Sequence, residues 1–114
     1  MTPAAFRKLA LSLAGATAGA HGGHPDFRAG GKVFASLGYP GPELGMVKLA
    51  PEQQQMLVSA EPGMFAPVKG TWGLRGATSV RLAAADARTM RSALTMAWQN
   101  VTVAKAIKPK RAAA

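Results

Sequence analysis

The hydrophobic and polar positions near the carboxyl end of the sequence follow the spacing of one helix face. Apolar residues recur every three or four positions between residues 87 and 104. These residues are Ala87, Met90, Leu94, Ala97, Val101 and Ala104. Asp86 stands directly before the first of them and is a preferred N-cap residue. The pattern therefore predicts a helix that begins after Asp86 and ends near Ala106.

A second helix is predicted near the beginning of the sequence. Thr2 and Pro3 match the N-cap and the first helical position, and Phe6, Leu9 and Leu13 then fall on one face. A secretory signal peptide is the competing interpretation, because bases, a short apolar stretch and alanine-rich steps follow one another here. The helix start and the shortness of the apolar stretch favour the helix.

Alternation with a period of two predicts strands between these helices. In "GGKVFASLG", Val33, Ala35 and Leu37 share one face, while Phe34 and Ser36 share the other. Because alternation of this kind is typical of strands, we expect the first three side chains to lie on the same face of a sheet.

The remaining segments predict further short elements. "MVKLA" predicts a strand with Lys48 outward, and residues 51–61 predict a short helix between Pro51 and a Pro-Gly pair. Residues 64–83 predict two strands around a glycine-rich turn, and residues 15–23 predict turns. This order predicts the α+β class, with an antiparallel sheet packed against helices on one face.

Charge is the most informative feature of the composition. The chain of 114 residues carries 14 Lys and Arg against 5 Asp and Glu, for a net charge of +9. Nine of the bases and only one acid lie in residues 62–114. An asymmetry of this sign favours a polyanionic partner. Nucleic acid and an acidic membrane surface are the polyanions that such a charge favours, and a solvated basic surface without a polyanionic partner is the alternative.

Composition also narrows the class of protein and its setting. Cysteine is absent, so disulfides and thiolate chemistry are excluded. No apolar run approaches the roughly 20 residues of a membrane span. We therefore expect a cytoplasmic monomer without a membrane partner. Residues 1–106 are predicted to form a single domain, and residues 107–114, "IKPKRAAA", a flexible basic tail.

The clearest candidates for site chemistry are His21, His24 and Asp26. As metal ligands they would need further partners, and as a catalytic pair they would need an oriented nucleophile, for which no motif is present. The simpler interpretation is structural: Pro25 and Asp26 form a turn, and Arg28 pairs with Asp26 or a backbone carbonyl. We therefore predict no enzymatic activity, no metal and no cofactor.

The best candidate for binding is the stretch "VKGTWGLRG". Lys69 and Arg75 bracket Trp72 on a predicted hairpin-like loop, so the bases could reach phosphates while the ring packs on a sugar or a base. Burial of Trp72 in the core is the alternative, and it is favoured for a large aromatic residue. The predicted nucleic-acid-binding residues are Arg28, Lys32, Lys48, Lys69, Trp72, Arg75, Arg81, Lys108, Lys110 and Arg111.

Several short segments of the sequence resemble segments of the MmcQ/YjbR family. The segments are "GHPDFR" with "GK" and Phe34 after it, "VKLAPEQQ" and "GTWG", and the resemblance extends from about Phe6 to Trp98. It implies a frataxin-like (CyaY-like) α+β fold with the first and last helices on one face of the sheet. It also implies DNA binding through a double-wing arrangement. The sequence departs from the family at "TAGA" before His21, and at Ala77, where an aromatic residue is common.

These observations lead to one leading functional hypothesis. We expect binding of nucleic acid through phosphate contacts with little readout of base sequence, because no recognition helix or finger is predicted. The alternative is a regulatory module whose positive surface meets an acidic protein.

Overall fold

The computed structural model describes residues 1–39 and 41–113, and the side chains of His21 and of residues 103–113 lie outside that description. In this part of the chain the elements are α1 (Pro3–Leu11), β1 (Thr17–His21), β2 (His24–Ala29), β3 (Lys32–Leu37), β4 (Leu44–Lys48), α2 (Pro51–Ala60), β5 (Phe65–Pro67), α3 (Thr71–Leu74), β6 (Ala77–Arg81) and α4 (Ala87–Ala113), with a 3₁₀ turn at Leu82–Ala84.

The six strands form one antiparallel sheet in the order β1-β2-β3-β4-β6-β5. Chain neighbours pair from β1 to β4, and β6 then enters between β4 and β5. The predicted α+β class is thereby confirmed. Within residues 1–39 and 41–113, no helix combines the length and the apolar character needed to cross a bilayer.

Helices α1 and α4 cover one face of this sheet and form the core with it. The largest fully buried side chains there are Phe6, Phe27, Phe34, Phe65, Met90 and Leu94. Removing each such side chain from water contributes about 1.5–3 kcal/mol. The loop after α1 is held to α4 by the Trp98 indole N–H, which donates to the carbonyl of Ala14 at 2.8 Å. The predicted packing of helices on one sheet face is therefore confirmed.

The starts of α1 and α4 follow the sequence prediction closely. Thr2 accepts from the N–H of Ala5 at 3.1 Å with Pro3 as the first helical residue, and Asp86 accepts from the N–H of Thr89 at 3.0 Å. The predicted stripe of α4 is buried at Met90, Leu94, Ala97 and Val101. Ala87 is exposed, because the first turn of α4 extends past the edge of the core.

The end of α4 differs from the sequence prediction. The helix is assigned through Ala113 rather than ending near Ala106, and the predicted basic tail, residues 107–114, lies outside the residues whose side chains are described. The tail stays a prediction.

The glycine-rich stretch after α1 forms a β-hairpin, which sequence alone did not predict. Gly22 and Gly23 have φ angles of 58° and 82°, the left-handed values that a tight two-residue hairpin turn requires. His21 and His24 are therefore paired across this turn. The predicted turn at Pro25 and Asp26 is wrong, because the glycines make the turn and both residues lie within β2.

A β-bulge changes the faces predicted for β3. Phe27 pairs with Ala35, whereas the next residue of β2, Arg28, pairs with Val33. Phe34 is the extra residue, and an extra residue reverses the alternation beyond it. Phe34 is consequently buried in the core and Val33 is only partly buried, so the prediction that Val33 shares a face with Ala35 and Leu37 is wrong.

The connection between β5 and β6 is a helical turn, α3, rather than the predicted hairpin-like loop. Gly73 lies so close to the Val68 carbonyl that a Cβ atom would collide with it. The Gln54 amide of α2 donates to the carbonyls of Gly73 at 3.1 Å and Ala77 at 2.9 Å. These contacts fix α3 against α2.

Candidate binding groove

The sheet face opposite α1 and α4, which we call the open face, carries a row of mostly small residues. Strand pairing brings one residue from each strand into this row. In order across the sheet they are Gly19, Asp26, Ser36, Met46, Ser79 and Ala66. Met46 is only 3% exposed although it is not part of the core cluster. Three central members of the row, Asp26, Ser36 and Met46, form the floor of a groove.

Larger side chains border this floor, because neighbouring positions on the same face lie two residues away along each strand. Arg28, Val33 and Lys48 border one side, and His24 and Arg81 border the other. The resulting cavity measures about 380 Å³ and is lined by His24, Asp26, Val33, Ser36, Tyr39, Met46, Lys48 and Trp72. A volume of this size lies within the range of small-ligand sites.

An ion pair between a buried carboxylate and a half-exposed arginine lies at one side of the groove. Asp26 is 1% exposed, and both of its oxygens accept from Arg28: Nε to Oδ1 at 3.0 Å and the terminal nitrogen to Oδ2 at 3.1 Å. The hydrogen bond, followed by the attraction between the charges, raises the pKa of Arg28 above its ordinary value. The prediction that Arg28 pairs with Asp26 is confirmed. Since the pair neutralises itself, Lys48 sets the charge of the groove.

Two aromatic side chains reach the groove without being buried. Trp72 is 50% exposed and Tyr39 is 49% exposed, so a large part of each ring can meet a ligand. Tyr39 packs edge-to-face with His24, with ring centroids 5.8 Å apart. The interpretation of Trp72 as a core residue is wrong, because α3 projects it from the end of the sheet.

Hydrogen bonds within the scaffold hold the end of the groove where Lys48 lies. Asn100 of α4 donates to the Lys48 carbonyl at 3.2 Å and to Gln53 Oε1 at 2.8 Å. The Thr78 hydroxyl donates to the Gly76 carbonyl at 2.8 Å, directly beyond α3. The backbone that carries Lys48 and Trp72 is therefore tied to α2 and α4.

The predicted binding residues are distributed unevenly over this surface. Lys48 and Trp72 meet in the groove, Arg28 is in its ion pair, and Arg81 is exposed at the opposite end of β4 from Lys48. Lys69 and Arg75 are exposed on either side of α3.

The four remaining predicted cations lie away from the groove or outside the described side chains. Lys32 is exposed at the β2–β3 turn, where the bulge puts it on the same face as Phe34, away from the groove. The side chains of Lys108, Lys110 and Arg111 lie outside the described residues, as does that of His21. Lys32 is therefore separated from Lys48, which lies on the open face, and its role in binding stays a prediction.

Sequence reasoning missed several residues of the groove, among them Ser36, Tyr39 and Met46. One signal was present: in "HPDFRA", His24, Asp26 and Arg28 alternate with less polar residues, as in a strand with one polar face. The others become neighbours only through strand register.

The groove offers polar and aromatic contacts more readily than ligands for a metal ion. Among the described side chains, no three His, Cys, Asp or Glu residues are grouped closely enough to hold a metal ion. Asp26, the one acid among the described residues that line the groove, has both oxygens engaged by Arg28.

The fold and the groove define a small α+β protein with a helix-covered sheet face and an open face bearing cations and aromatic rings. The chain belongs to the YjbR family, whose model matches residues 11–100. It is similar in structure to the Deinococcus radiodurans protein DR2400, a crystal structure with a DUF419 domain, at a TM-score of 0.73 and 19% identity over 89% of this chain and 78% of that one. Among curated proteins the comparison finds no match.

Proposed function

We propose that this protein is a cytoplasmic, monomeric nucleic-acid-binding protein without catalytic activity. It would bind the sugar-phosphate backbone on the open face of the sheet, with little readout of base sequence. DNA is the first candidate, following the label of the family that the sequence resembles.

The observation that carries the proposal is the meeting of a cation and an aromatic ring in one groove. Lys48 is exposed and lines the same cavity as Trp72, whose ring is half exposed. Proteins that bind single strands without sequence preference combine cations along the backbone with rings on which bases stack. The groove supplies both on a rigid sheet.

The charges around the groove support the same partner. Lys69, Arg75 and Arg81 are exposed near its two ends, and the groove's own acid is neutralised by Arg28. A positive surface without a competing exposed acid in the groove attracts phosphates and raises the rate of encounter.

The test compares two pairs of substitutions that remove the same charge. Lys48→Ala with Arg81→Ala removes two cations from the open face, and Arg7→Ala with Lys8→Ala removes two exposed cations from α1. The full chain is titrated into a labelled single strand and a labelled duplex by fluorescence anisotropy, between about 50 and 200 mM salt.

The open-face pair is expected to weaken binding and to reduce the slope of log K against log salt by about 1.5, since each lost phosphate contact removes about 0.7–0.9. The α1 pair is expected to leave the slope close to that of the unchanged chain. Equal losses in both pairs, or no binding by the unchanged chain, would contradict the proposal. A third variant, with Lys108, Lys110 and Arg111 changed to Ala, measures the contribution of the tail.

A further inference from the structure

The groove has a more specific shape and chemistry than phosphate binding needs. Its floor at Met46 and its wall at Val33 are apolar, and its rings are Trp72 and Tyr39. Phosphates gain nothing from such surfaces, whereas the flat face of a nucleobase does.

We propose, resting on the function above, that the groove holds one unstacked nucleobase of a single strand. The base stacks on Trp72 over the Met46 floor, and Lys48 contacts the adjoining phosphate. The protein then selects single strands over duplexes.

The geometry of the sheet places Trp72 and Lys48 at the same end of the groove, as this proposal requires. Lys48 pairs with Ala77 at the beginning of β6, and α3 with Trp72 immediately precedes that strand. His24 and Tyr39 lie toward the other end of the groove. The length from residue 44 to residue 48 of β4 is about 13 Å at roughly 3.3 Å per residue, enough for one base and part of its sugar.

Polar groups face the edge of a base in this position. Ser36 lies at the centre of the floor and offers a hydroxyl that both donates and accepts. The hydroxyl of Tyr39, which lines the same cavity, can likewise donate and accept. Because these groups suit many bases, weak sequence preference is expected.

A duplex cannot fill the groove in the same way. Its bases are stacked on their neighbours, and exposing the face of one base requires unpairing it. The half-exposed ring of Trp72 can therefore stack more readily on a base of a single strand, because that base is not held in a duplex.

The experiment uses the full chain and three ligands, of which the two single strands carry the same number of phosphates. These are a single strand of about 12 nucleotides, the same strand with every base replaced by an abasic sugar, and a duplex. Binding is measured by anisotropy for the unchanged chain, for Trp72→Ala and for Leu74→Ala. Leu74 is 82% exposed on the same short helix and does not line the groove, so its variant is the matched control.

The unchanged chain is expected to bind the base-bearing strand about tenfold more tightly than the abasic strand. Trp72→Ala should reduce that ratio nearly to one without altering abasic binding, and Leu74→Ala should preserve it. Ser36→Leu, which fills the floor and leaves every cation in place, should act like Trp72→Ala.

Failure of this inference is distinguishable from failure of the proposed function. If base-bearing, abasic and duplex ligands bind equally and with steep salt dependence, phosphate binding stands and the base site is refuted. If none of them binds, both are refuted. Binding of an acidic polypeptide such as polyglutamate with equal strength would also refute the base site, because such a chain carries the charge without the bases.

Discussion

The same strands contribute side chains to both faces of the sheet, but the side chains on the two faces differ in how they pack. On the face covered by α1 and α4, Phe27, Phe34 and Val47 are fully buried and pack into a continuous core. On the open face the equivalent positions hold small residues around Met46, a buried carboxylate paired with a half-exposed arginine, and exposed cations. Helices α1 and α4 cover the first face, whereas the second face carries an open cavity of about 380 Å³.

This difference separates residues that stabilise the fold from residues available for binding. Core side chains contribute through apolar burial, which depends on close packing. The groove instead has aromatic rings half exposed and its buried carboxylate held by Arg28. Substitutions on the helix-covered face should therefore change mainly the free energy of unfolding, and substitutions on the open face should change mainly the affinity for nucleic acid.

The largest effect is expected from Phe34→Ala, which removes a fully buried ring. It should lower the free energy of unfolding by about 3–5 kcal/mol, measured by urea denaturation. Val33→Ala, one residue away but on the open face, should cost far less. If Val33→Ala proved the more costly change, the bulge and the two-face comparison would both be wrong.

An intermediate effect is expected from Asp26→Asn, which keeps the size of the side chain and removes its charge. The amide oxygen can accept only one of the two hydrogen bonds from Arg28, and the buried N–H₂ group left without an acceptor should lower the free energy of unfolding by about 1–3 kcal/mol. Nucleic-acid affinity should rise, because Arg28 is then free to meet a phosphate.

Both properties of this variant are measured on one preparation, by urea denaturation and by anisotropy. Lower affinity in a variant shown to be folded would indicate that Asp26 positions a ligand-binding group, and the account of Arg28 as a self-neutralised cation would fail.

The smallest effect concerns Asp86, which caps α4 away from the groove. Hydrogen bonds from the backbone N–H and then from the hydroxyl of Thr89 lower its pKa below the ordinary 3.8. A lowered folded pKa stabilises the fold above the unfolded value, and this contribution is lost as the pH falls through the folded pKa. Asp86→Ala should therefore lower Tm slightly at neutral pH, with a difference that shrinks as the pH falls below about 3.8 and disappears once Asp86 is protonated in the folded chain.

The control for this prediction is Asp86→Asn, which retains an oxygen that can accept from Thr89. Its Tm, measured by thermal unfolding across the acid range, should differ little from that of the unchanged chain. If the difference in Tm between Asp86→Ala and the unchanged chain widened as the pH fell, the assignment of Asp86 as the N-cap of α4 would be contradicted.

The sequence predicts much of the helix-covered face and little of the groove. Helix periodicity identifies Met90 and Leu94, and strand alternation identifies Val47, because each pattern is local. The bulge at Phe34 and the hairpin at Gly22 and Gly23 depend on strand pairing, which composition does not reveal.

The groove depends on long-range pairing more strongly still. Asp26, Ser36 and Met46 come from three strands and adjoin only because of their register. Lys48 and Trp72 were predicted as separate binding candidates, and α3 brings them to one cavity. The partner of the protein stays a prediction, since neither pattern nor fold tests it.

The most direct test is an NMR titration of the full ¹⁵N-labelled chain with a short single strand. The account predicts that shift changes concentrate on the open face and α3, at Asp26, Ser36, Met46 and Trp72. Shift changes confined to α1, to the outer side of α4 or to residues 103–114 would contradict it.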